Sequence, residues 1–171
     1  MTGDGSYGFR PVTEADLPML AAWLREPHVA EWWDEPAEMG PAAEIITAMG
    51  DAGTTPRIVE LDRRPIGYIQ SYDPHLEKDH PYRDQPAGTL GIDQFIGVPD
   101  LVGIGHGSRI VRALADQLFS QGCRRVVVDP HPGNARAIRA YEKAGFRALG
   151  RRTTSFGPAL IMALDAPADD R

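Results

Sequence analysis

A single tyrosine, Tyr141, lies in a predicted helix that is otherwise rich in Ala, Arg and Lys, within the segment DPHPGNARAIRAYEKAGF that starts at Asp129. The preceding residues, RRVVVD, are typical of a short parallel strand covered on both faces, and Asp129 ends this strand. Ligands of open α/β sheets bind beyond the carboxyl ends of such strands. Asp129 and Tyr141 are therefore candidate site residues, although a turn acid and a packed helix aromatic would have the same local sequence.

A second candidate site is the glycine-rich stretch GIGHGS, residues 103–108, between a predicted strand and a predicted helix. Glycines allow several backbone N–H groups to converge, and a helix N-terminus adds partial positive charge, so the stretch could bind a phosphate or pyrophosphate. A glycine-rich turn without a ligand is the alternative. It is not a Walker loop, because no Gly-Lys-Ser or Gly-Lys-Thr follows, and it lacks the third glycine of the dinucleotide fingerprint.

No catalytic nucleophile or metal cluster accompanies these candidates. The lone Cys123 lies between a predicted helix end and a strand, where a small buried hydrophobe is expected. The five histidines lack metal-ligand spacing and neighbouring cysteines, so we expect no metal. A Ser/His/Asp or Cys/His pattern, which would indicate a covalent enzyme intermediate, is also absent.

The composition limits the partners that the protein can have. The 171 residues contain 24 acidic and 18 basic side chains, for a net charge of −6, and are typical of one soluble domain. A negative surface repels nucleic acid and anionic membranes and attracts small cations. No signal-peptide pattern or membrane-spanning apolar run is present, so we expect a cytoplasmic protein.

The hydrophobic patterns predict the elements that must position these side chains. They predict a strand, two helices, three strands, a helix, a strand, a helix and two strands, with a βαβ unit in the second half. The polar segment 73–88 is long for a connection and is expected to be an exposed, substrate-facing loop. A turn at Gly157-Pro158 is expected within the last hairpin, and one face of the 103–122 helix carries Ile110, Val111, Leu114 and Leu118.

The pairing of the glycine loop with N-x-x-A-x-x-x-Y-x-K-x-G-F resembles the acetyl-CoA site of the GCN5-related N-acetyltransferase (GNAT) superfamily. The segments EWW, IGYIQSY, GIDQFI, VRAL, DPHPGNARAIRAYEKAGF and GPA are similar in order and spacing to the aminoglycoside 6′-N-acetyltransferases, across roughly residues 10–162. The resemblance implies an α/β fold of the α+β type. Its central sheet is mixed, mostly antiparallel and splayed between two parallel strands, with flanking helices. One N-acetyltransferase domain would span residues 1–171, with its core at about 7–165.

The resemblance also implies a function: acetyl transfer from acetyl-CoA to the 6′-amine of a cationic aminoglycoside, an antibiotic-resistance activity. Neither a metal nor a nucleic acid nor a membrane would take part, and the enzyme would be a monomer or a homodimer. One alternative is an N-acyltransferase of the same fold in siderophore biosynthesis. Another is a CoA-binding module without turnover.

By the same resemblance, Tyr141 protonates the departing CoA thiolate, which suits a phenol of ordinary pKa. Asp93 holds the reacting amine and accepts its proton, although an Asp of ordinary pKa is a weak base. The residues implied to contact acetyl-CoA are Gln94, Phe95, Ile96, Val102, Gly103, Ile104, Gly105, His106, Gly107, Ser108, Asn134, Ala137, Tyr141 and Lys143. The residues implied to contact the aminoglycoside are Trp32, Trp33, Asp34, Gln70, Tyr72, Asp79, Tyr82, Asp93 and Asp129.

The chain departs from the family pattern at three points. Val102 and Ile104 stand where basic or amide side chains are frequent, so pyrophosphate binding is expected to depend on backbone amides of the glycine loop. His106 is expected to be a solvent-exposed neighbour of the phosphate. The 73–88 loop carries Tyr82 in place of a tryptophan pair, which leaves the breadth of substrates open.

Overall fold

One mixed sheet of seven strands forms the centre of the computed structural model, which describes residues 5–33, 35 and 37–169. The strands are β1 (Tyr7–Pro11), β2 (Thr54–Leu61), β3 (Arg64–Tyr72), β4 (Thr89–Ile96), β5 (Arg125–Val128), β6 (Arg147–Thr154) and β7 (Gly157–Asp165). The α-helices are α1 (Leu17–Leu24), α2 (Pro27–Ala30), α3 (Ala43–Gly50), α4 (His106–Ser120) and α5 (Ala135–Ala144). The strand order is β1-β2-β3-β4-β5-β7-β6.

Adjacent strands β4 and β5 are parallel, and the other neighbouring pairs in the described sheet are antiparallel. Parallel pairing runs from Thr89 opposite Arg125 to Gly91 opposite Val127, after which β4 continues for five residues to Ile96. The backbone groups of β4 beyond Gly91 therefore face an opening on the β5 side. This arrangement confirms the predicted fold, a mostly antiparallel mixed sheet splayed between two parallel strands.

Two apolar clusters cover opposite faces of the sheet. Successive strand residues point to opposite faces, so Ile58 and Val59 of β2 enter different clusters. The first cluster packs β-strand residues against α4 and α5, and the second packs them against α1, α2 and α3. The predicted apolar face of α4 is confirmed, because each of its four residues is buried: Ile110, Val111, Leu114 and Leu118.

Three local predictions need correction. The last hairpin turns at Ser155 and Phe156, because Gly157 already pairs with Thr154 and begins β7. The hydroxyl of Thr154 closes this turn by donating to the Gly157 carbonyl at 2.9 Å and accepting from the Phe156 N–H at 3.1 Å. The short helix α2 was not predicted, since its four residues are too few for a periodic pattern.

The third correction concerns the 73–88 loop, which is not wholly exposed, because Tyr82 within it is buried. Internal hydrogen bonds brace the loop. The His75 imidazole bonds the Gln85 carbonyl at 2.9 Å, and the Arg83 guanidinium donates to the His75 carbonyl at 2.8 Å. No helix in the described part of the chain is long and apolar enough to cross a membrane.

Candidate active site

A cavity of about 590 Å³ occupies the opening between β4 and β5. The start of α4, one side of α5, and α2 with the two tryptophans that follow it also line this cavity. Among the predicted acetyl-CoA residues it brings together Gln94, Phe95, Ile96, Val102, Gly103, Gly105, Gly107, Ser108, Asn134, Ala137, Tyr141 and Lys143. We call it the cofactor cavity, defined by these residues.

The loop before α4 has the backbone that its glycines permit. Gly103 and Gly105 have φ of +77° and +98°, in the left-handed region that side chains disfavour. Gly105 caps α4, and the Ser108 hydroxyl donates to its carbonyl at 3.0 Å. The loop can therefore present backbone N–H groups at the positive end of a 15-residue helix.

Two predicted cofactor residues lie elsewhere. Ile104 is exposed and does not line the cofactor cavity. His106 is half-buried, and its Nδ1 forms a 2.6 Å hydrogen bond with the Tyr7 hydroxyl. The expectation of a solvent-exposed His106 was wrong, because β1 packs across the start of α4.

Basic side chains of α5 supply charge that the sequence analysis missed. Arg136, Arg139 and Lys143 line the cofactor cavity, and of these only Lys143 was predicted. Their spacing of three and four residues places them on neighbouring turns of one helix side, and this periodicity could have revealed them. These cations add to the backbone amides of the glycine loop as potential partners of phosphate groups.

A second cavity of about 880 Å³ opens on the other side of Asp93 and Asp129. Its lining includes the predicted substrate residues Gln70 and Tyr72. No Lys or Arg is among its described lining residues, and its acids are Glu44, Asp51, Asp73, Glu77, Asp93 and Asp129. We call it the acidic cavity. The two cavities share Trp32, Trp33, Asp93 and Asp129.

Two predicted substrate residues of the described part of the chain do not line the acidic cavity. Asp79 is exposed and lines neither cavity. Tyr82 is buried behind Asp129, to which its hydroxyl donates a hydrogen bond. Asp34 lies outside the described residues.

Asp93 lies on β4, two residues beyond the last parallel pair, and directly opposite Gln70 on β3. The Gln70 amide donates to Asp93 Oδ2 at 3.0 Å, while its own oxygen accepts from the Tyr68 hydroxyl at 2.6 Å. These two hydrogen bonds in series fix the orientation of the Asp93 carboxylate. Because the amide oxygen is already engaged, Gln70 presents its N–H₂ group to Asp93.

The environment makes Asp93 a stronger base than an ordinary aspartate. Burial, followed by the negative charge of Asp129, raises the pKa of Asp93 to about 7, and the Gln70 hydrogen bond opposes this rise. Burial also raises the pKa of Asp129, against the effect of its hydrogen bond from Tyr82. The sequence does not reveal this shift in pKa, because it does not show that the two acids share a cleft.

Tyr141 is buried on α5, with its ring 5.6 Å from that of Phe146, and it lines the cofactor cavity. Burial, and then the charges of Asp93 and Asp129, raise the pKa of its phenol above the ordinary value. The expectation of an ordinary phenol pKa was therefore wrong. A phenol in this position remains protonated across the neutral range and can donate a proton.

An aromatic wall separates the site from the α1–α3 side. Trp33 meets Tyr68 and Phe95 edge to face, with ring centroids 5.7 and 5.1 Å apart. Its indole Nε1 is buried without a hydrogen-bond partner, although the side chain lines both cavities. Trp32 is partly exposed and lies 5.6 Å from the ring of His131. One tryptophan thus belongs mainly to the core side and the other to the rim.

In the part of the chain that the structure describes, no group of three or more His, Cys, Asp or Glu side chains is arranged to hold a metal ion. Cys123 is buried and its thiol lies near backbone carbonyls, 3.1 Å from that of Arg125. Burial raises the pKa of this thiol, which makes it a poor nucleophile.

The comparisons with known proteins agree with this arrangement. Residues 12–154 match the family model described as an acetyltransferase (GNAT) domain. The chain is 37% identical over 173 aligned residues to an aminoglycoside N(6′)-acetyltransferase type 1 of Klebsiella pneumoniae, covering 97% of this chain and 86% of that protein. It is 28% identical to the lysine N-acyltransferase MbtK of Mycolicibacterium paratuberculosis, covering 98% of this chain and 77% of that protein.

A solved structure shares both the fold and much of the sequence. The crystal structure of aminoglycoside acetyltransferase AAC(6′)-Ib with coenzyme A and kanamycin superposes with a TM-score of 0.84 at 38% identity. The match covers 94% of this chain and 95% of that one. The chain therefore belongs to the GNAT family of acetyl-CoA-dependent N-acetyltransferases, in the group that contains the aminoglycoside 6′-N-acetyltransferases.

Proposed function

We propose that this enzyme transfers the acetyl group of acetyl-CoA to the 6′-amine of aminoglycoside antibiotics. The observation that carries the proposal is the meeting of two cavities of opposite character at Asp93 and Asp129. One has helix-terminal amides and basic side chains, which suit a phosphate-bearing acyl donor. The other is lined by acids and suits an amine with several positive charges.

The hydrogen-bond donors and basic side chains of the cofactor cavity suit acetyl-CoA. The amides near Gly105 and Gly107, with Arg136 and Arg139, would hold the phosphates. Beyond Gly91 the backbone of β4 is free of its parallel neighbour, so Gln94 to Ile96 can bond the pantetheine arm. Bound acetyl-CoA supplies an activated acetyl thioester.

Asp93 provides the means to generate a neutral amine. It would first pair with the 6′-ammonium group and then accept a proton from it, directly or through water. With a pKa of about 7, Asp93 is matched to proton transfer near neutral pH. Asp129 contributes a second negative charge at the same point, which holds the cation and raises the basicity of its neighbour.

Tyr141 is proposed to donate its phenolic proton to the sulfur of the departing thiolate. Its raised pKa keeps the phenol protonated near neutral pH, although it also makes Tyr141 a weaker acid than an ordinary tyrosine. No covalent intermediate with the enzyme is needed, because both substrates can occupy adjoining cavities at once.

The alternatives differ in the amine that they require. A lysine-type acyltransferase acts on a single amine, whereas the acidic cavity has carboxylates at both its inner end and its rim, including Asp51, Asp73 and Glu77. A CoA-binding module without turnover would not require Asp93, Asp129 and Tyr141 at one junction. The acid distribution therefore favours a polycationic substrate.

The deciding experiment measures thiol release from acetyl-CoA with kanamycin, with an aminoglycoside that carries a hydroxyl at the 6′ position, and with lysine. Release with kanamycin alone would support the proposal, and its rate should fall as salt is added. Release with the 6′-hydroxyl compound at an equal rate would place attack at another amine. Release with lysine alone would favour the siderophore-type alternative.

A further inference from the structure

Tyr82, which lines neither cavity, forms a hydrogen bond with Asp129, one of the two acids that the cavities share. Tyr82 is buried, and its hydroxyl donates to Asp129 Oδ2 at 2.6 Å. A phenol is a strong hydrogen-bond donor to a carboxylate, so this bond favours the charged form of Asp129. Asp93 has the weaker amide donor Gln70. The charged form of Asp129 therefore has a stronger hydrogen-bond donor than the charged form of Asp93.

The position of Tyr82 depends on Arg152 of β6. The Arg152 guanidinium forms two hydrogen bonds with the Asp84 carboxylate, at 2.9 and 2.7 Å, and donates to the Pro81 carbonyl at 2.6 Å. It also lies 5.8 Å from the centroid of the Tyr82 ring. These contacts tie both flanks of Tyr82 to the terminal hairpin, which is remote in sequence.

Other groups around the two acids do not offset this inequality. Tyr72 of β3 and Tyr141 of α5 face both carboxylates, and each is a neutral phenol. Glu44 of α3 adds negative charge near Asp93. Arg152 acts on Tyr82 and forms its ion pair with Asp84. Tyr82 is thus the phenol that the geometry bonds directly to Asp129.

We propose that Tyr82, braced by Arg152, is a positioning residue that keeps Asp129 charged and so assigns proton uptake to Asp93. This inference deepens the proposed function, because it specifies how one of two neighbouring carboxylates becomes the base. Without the Tyr82 hydroxyl, Asp129 would compete for the proton. Asp93 would then be a carboxylate beside a neutral acid, and its basicity would fall.

The test follows the carboxyl groups directly. Asp side chains are labelled with ¹³C and titrated by NMR in the wild type and in Tyr82→Phe, with Asp93→Asn and Asp129→Asn to assign the signals. We expect Asp129 in Tyr82→Phe to titrate about one pH unit higher than in the wild type. Tyr7→Phe, which removes a hydroxyl that bonds His106, is the matched control and should leave both titrations unchanged.

The brace is tested in the same way. Arg152→Gln should also shift the Asp129 titration to higher pH. Arg147→Gln, at the other end of β6, breaks an ion pair with Asp165 of β7 and should leave the titration unchanged. Unchanged Asp129 titration in Tyr82→Phe would overturn the inference. The NMR titration needs no turnover. It therefore tests the role of Tyr82 even if the enzyme does not acetylate kanamycin.

A kinetic measurement adds a readout that a merely structural role would not move. In Tyr82→Phe the acidic limb of the kcat/KM profile for the amine should shift to lower pH, because Asp93 beside a neutral Asp129 is a weaker base. A uniform loss of activity at every pH, with the limb in place, would reduce Tyr82 to a packing role and contradict the proposal.

Discussion

Gln70 and Asp93 face each other across the antiparallel β3–β4 pair, and the Gln70 amide donates to the Asp93 carboxylate at 3.0 Å. Because the two residues share a register position, their side chains emerge on the same face of the sheet. The hydroxyl of Tyr68, two residues before Gln70, completes the chain from the core to the carboxylate. The orientation of the proposed base is therefore part of the sheet itself.

Replacement of Gln70 by Met should raise the pKa of Asp93 further, because a donor to its charged form is lost. A profile of kcat/KM against pH should show its acidic limb at higher pH, with activity at pH 6.5 reduced about tenfold. Gln117→Met on the exposed side of α4 is the control. An acidic limb at the wild-type position would contradict the role of Gln70 as a donor to the charged form of Asp93.

Asp93→Asn removes the proposed base while keeping a similar shape. Steady-state kinetics should show a loss in kcat/KM of about 10² to 10⁴, the range expected for general-base catalysis. Asp116→Asn, which breaks an exposed ion pair with Arg112, controls for the change in net charge. Retention of more than a tenth of wild-type activity by Asp93→Asn would exclude the role.

The same substitution should stabilise the fold at alkaline pH. The folded-state pKa of Asp93, about 7, is above its unfolded value, so burying its charge destabilises the protein increasingly as pH rises from about 4 to 7. Asn carries no such penalty. Thermal unfolding should therefore show a larger gain in Tm for Asp93→Asn over wild type at pH 8 than at pH 5. An equal gain at both pH values would show that burial does not penalise the charge.

Tyr141→Phe should lower kcat by about 10² while leaving the KM for acetyl-CoA within a few-fold, because only the proton donor is lost. The ring is retained, so its contact with Phe146 should survive. Since the phenol pKa is raised, the wild type should show no loss of kcat from Tyr141 below about pH 10. An unchanged kcat in the variant would show that water, and not Tyr141, donates the proton.

Gly105→Ala should weaken acetyl-CoA binding, because a side chain strains the left-handed backbone at the start of α4 by about 1–3 kcal/mol and shifts the loop amides. Gly122→Ala at the end of α4 is a matched control with a φ of +101°. Both variants should lose similar stability in thermal unfolding. Calorimetry should show weaker acetyl-CoA binding for Gly105→Ala alone, and equal affinities would contradict the phosphate-binding assignment.

Much of the fold could be predicted from hydrophobic periodicity. The buried face of α4 and the apolar strand β5 are local patterns, and local patterns determine where an element lies. The Gly157-Pro158 pair misplaced the predicted turn by two residues. A turn signal gives only the approximate position of a turn, and the pairing of Thr154 with Gly157 determines which residues form it. The helix α2 was missed because four residues give no period.

The sequence alone determined which chemical groups are present. It identified Asp129, Tyr141 and the glycine loop as candidates, and the resemblance added Asp93 and assigned all of them to an acyl-transfer site. These inferences were possible because a motif preserves residue type and spacing, which are properties of the chain itself.

Only the tertiary structure decided how strongly these groups hold their protons. Asp93 and Asp129 are 36 positions apart in sequence, yet they share a cleft because β4 and β5 are adjacent. Tyr82 reaches Asp129 from a loop, and Arg152 braces that loop from the terminal hairpin. A pKa depends on burial and on charges within a few ångströms, and both arise when the chain brings distant segments together.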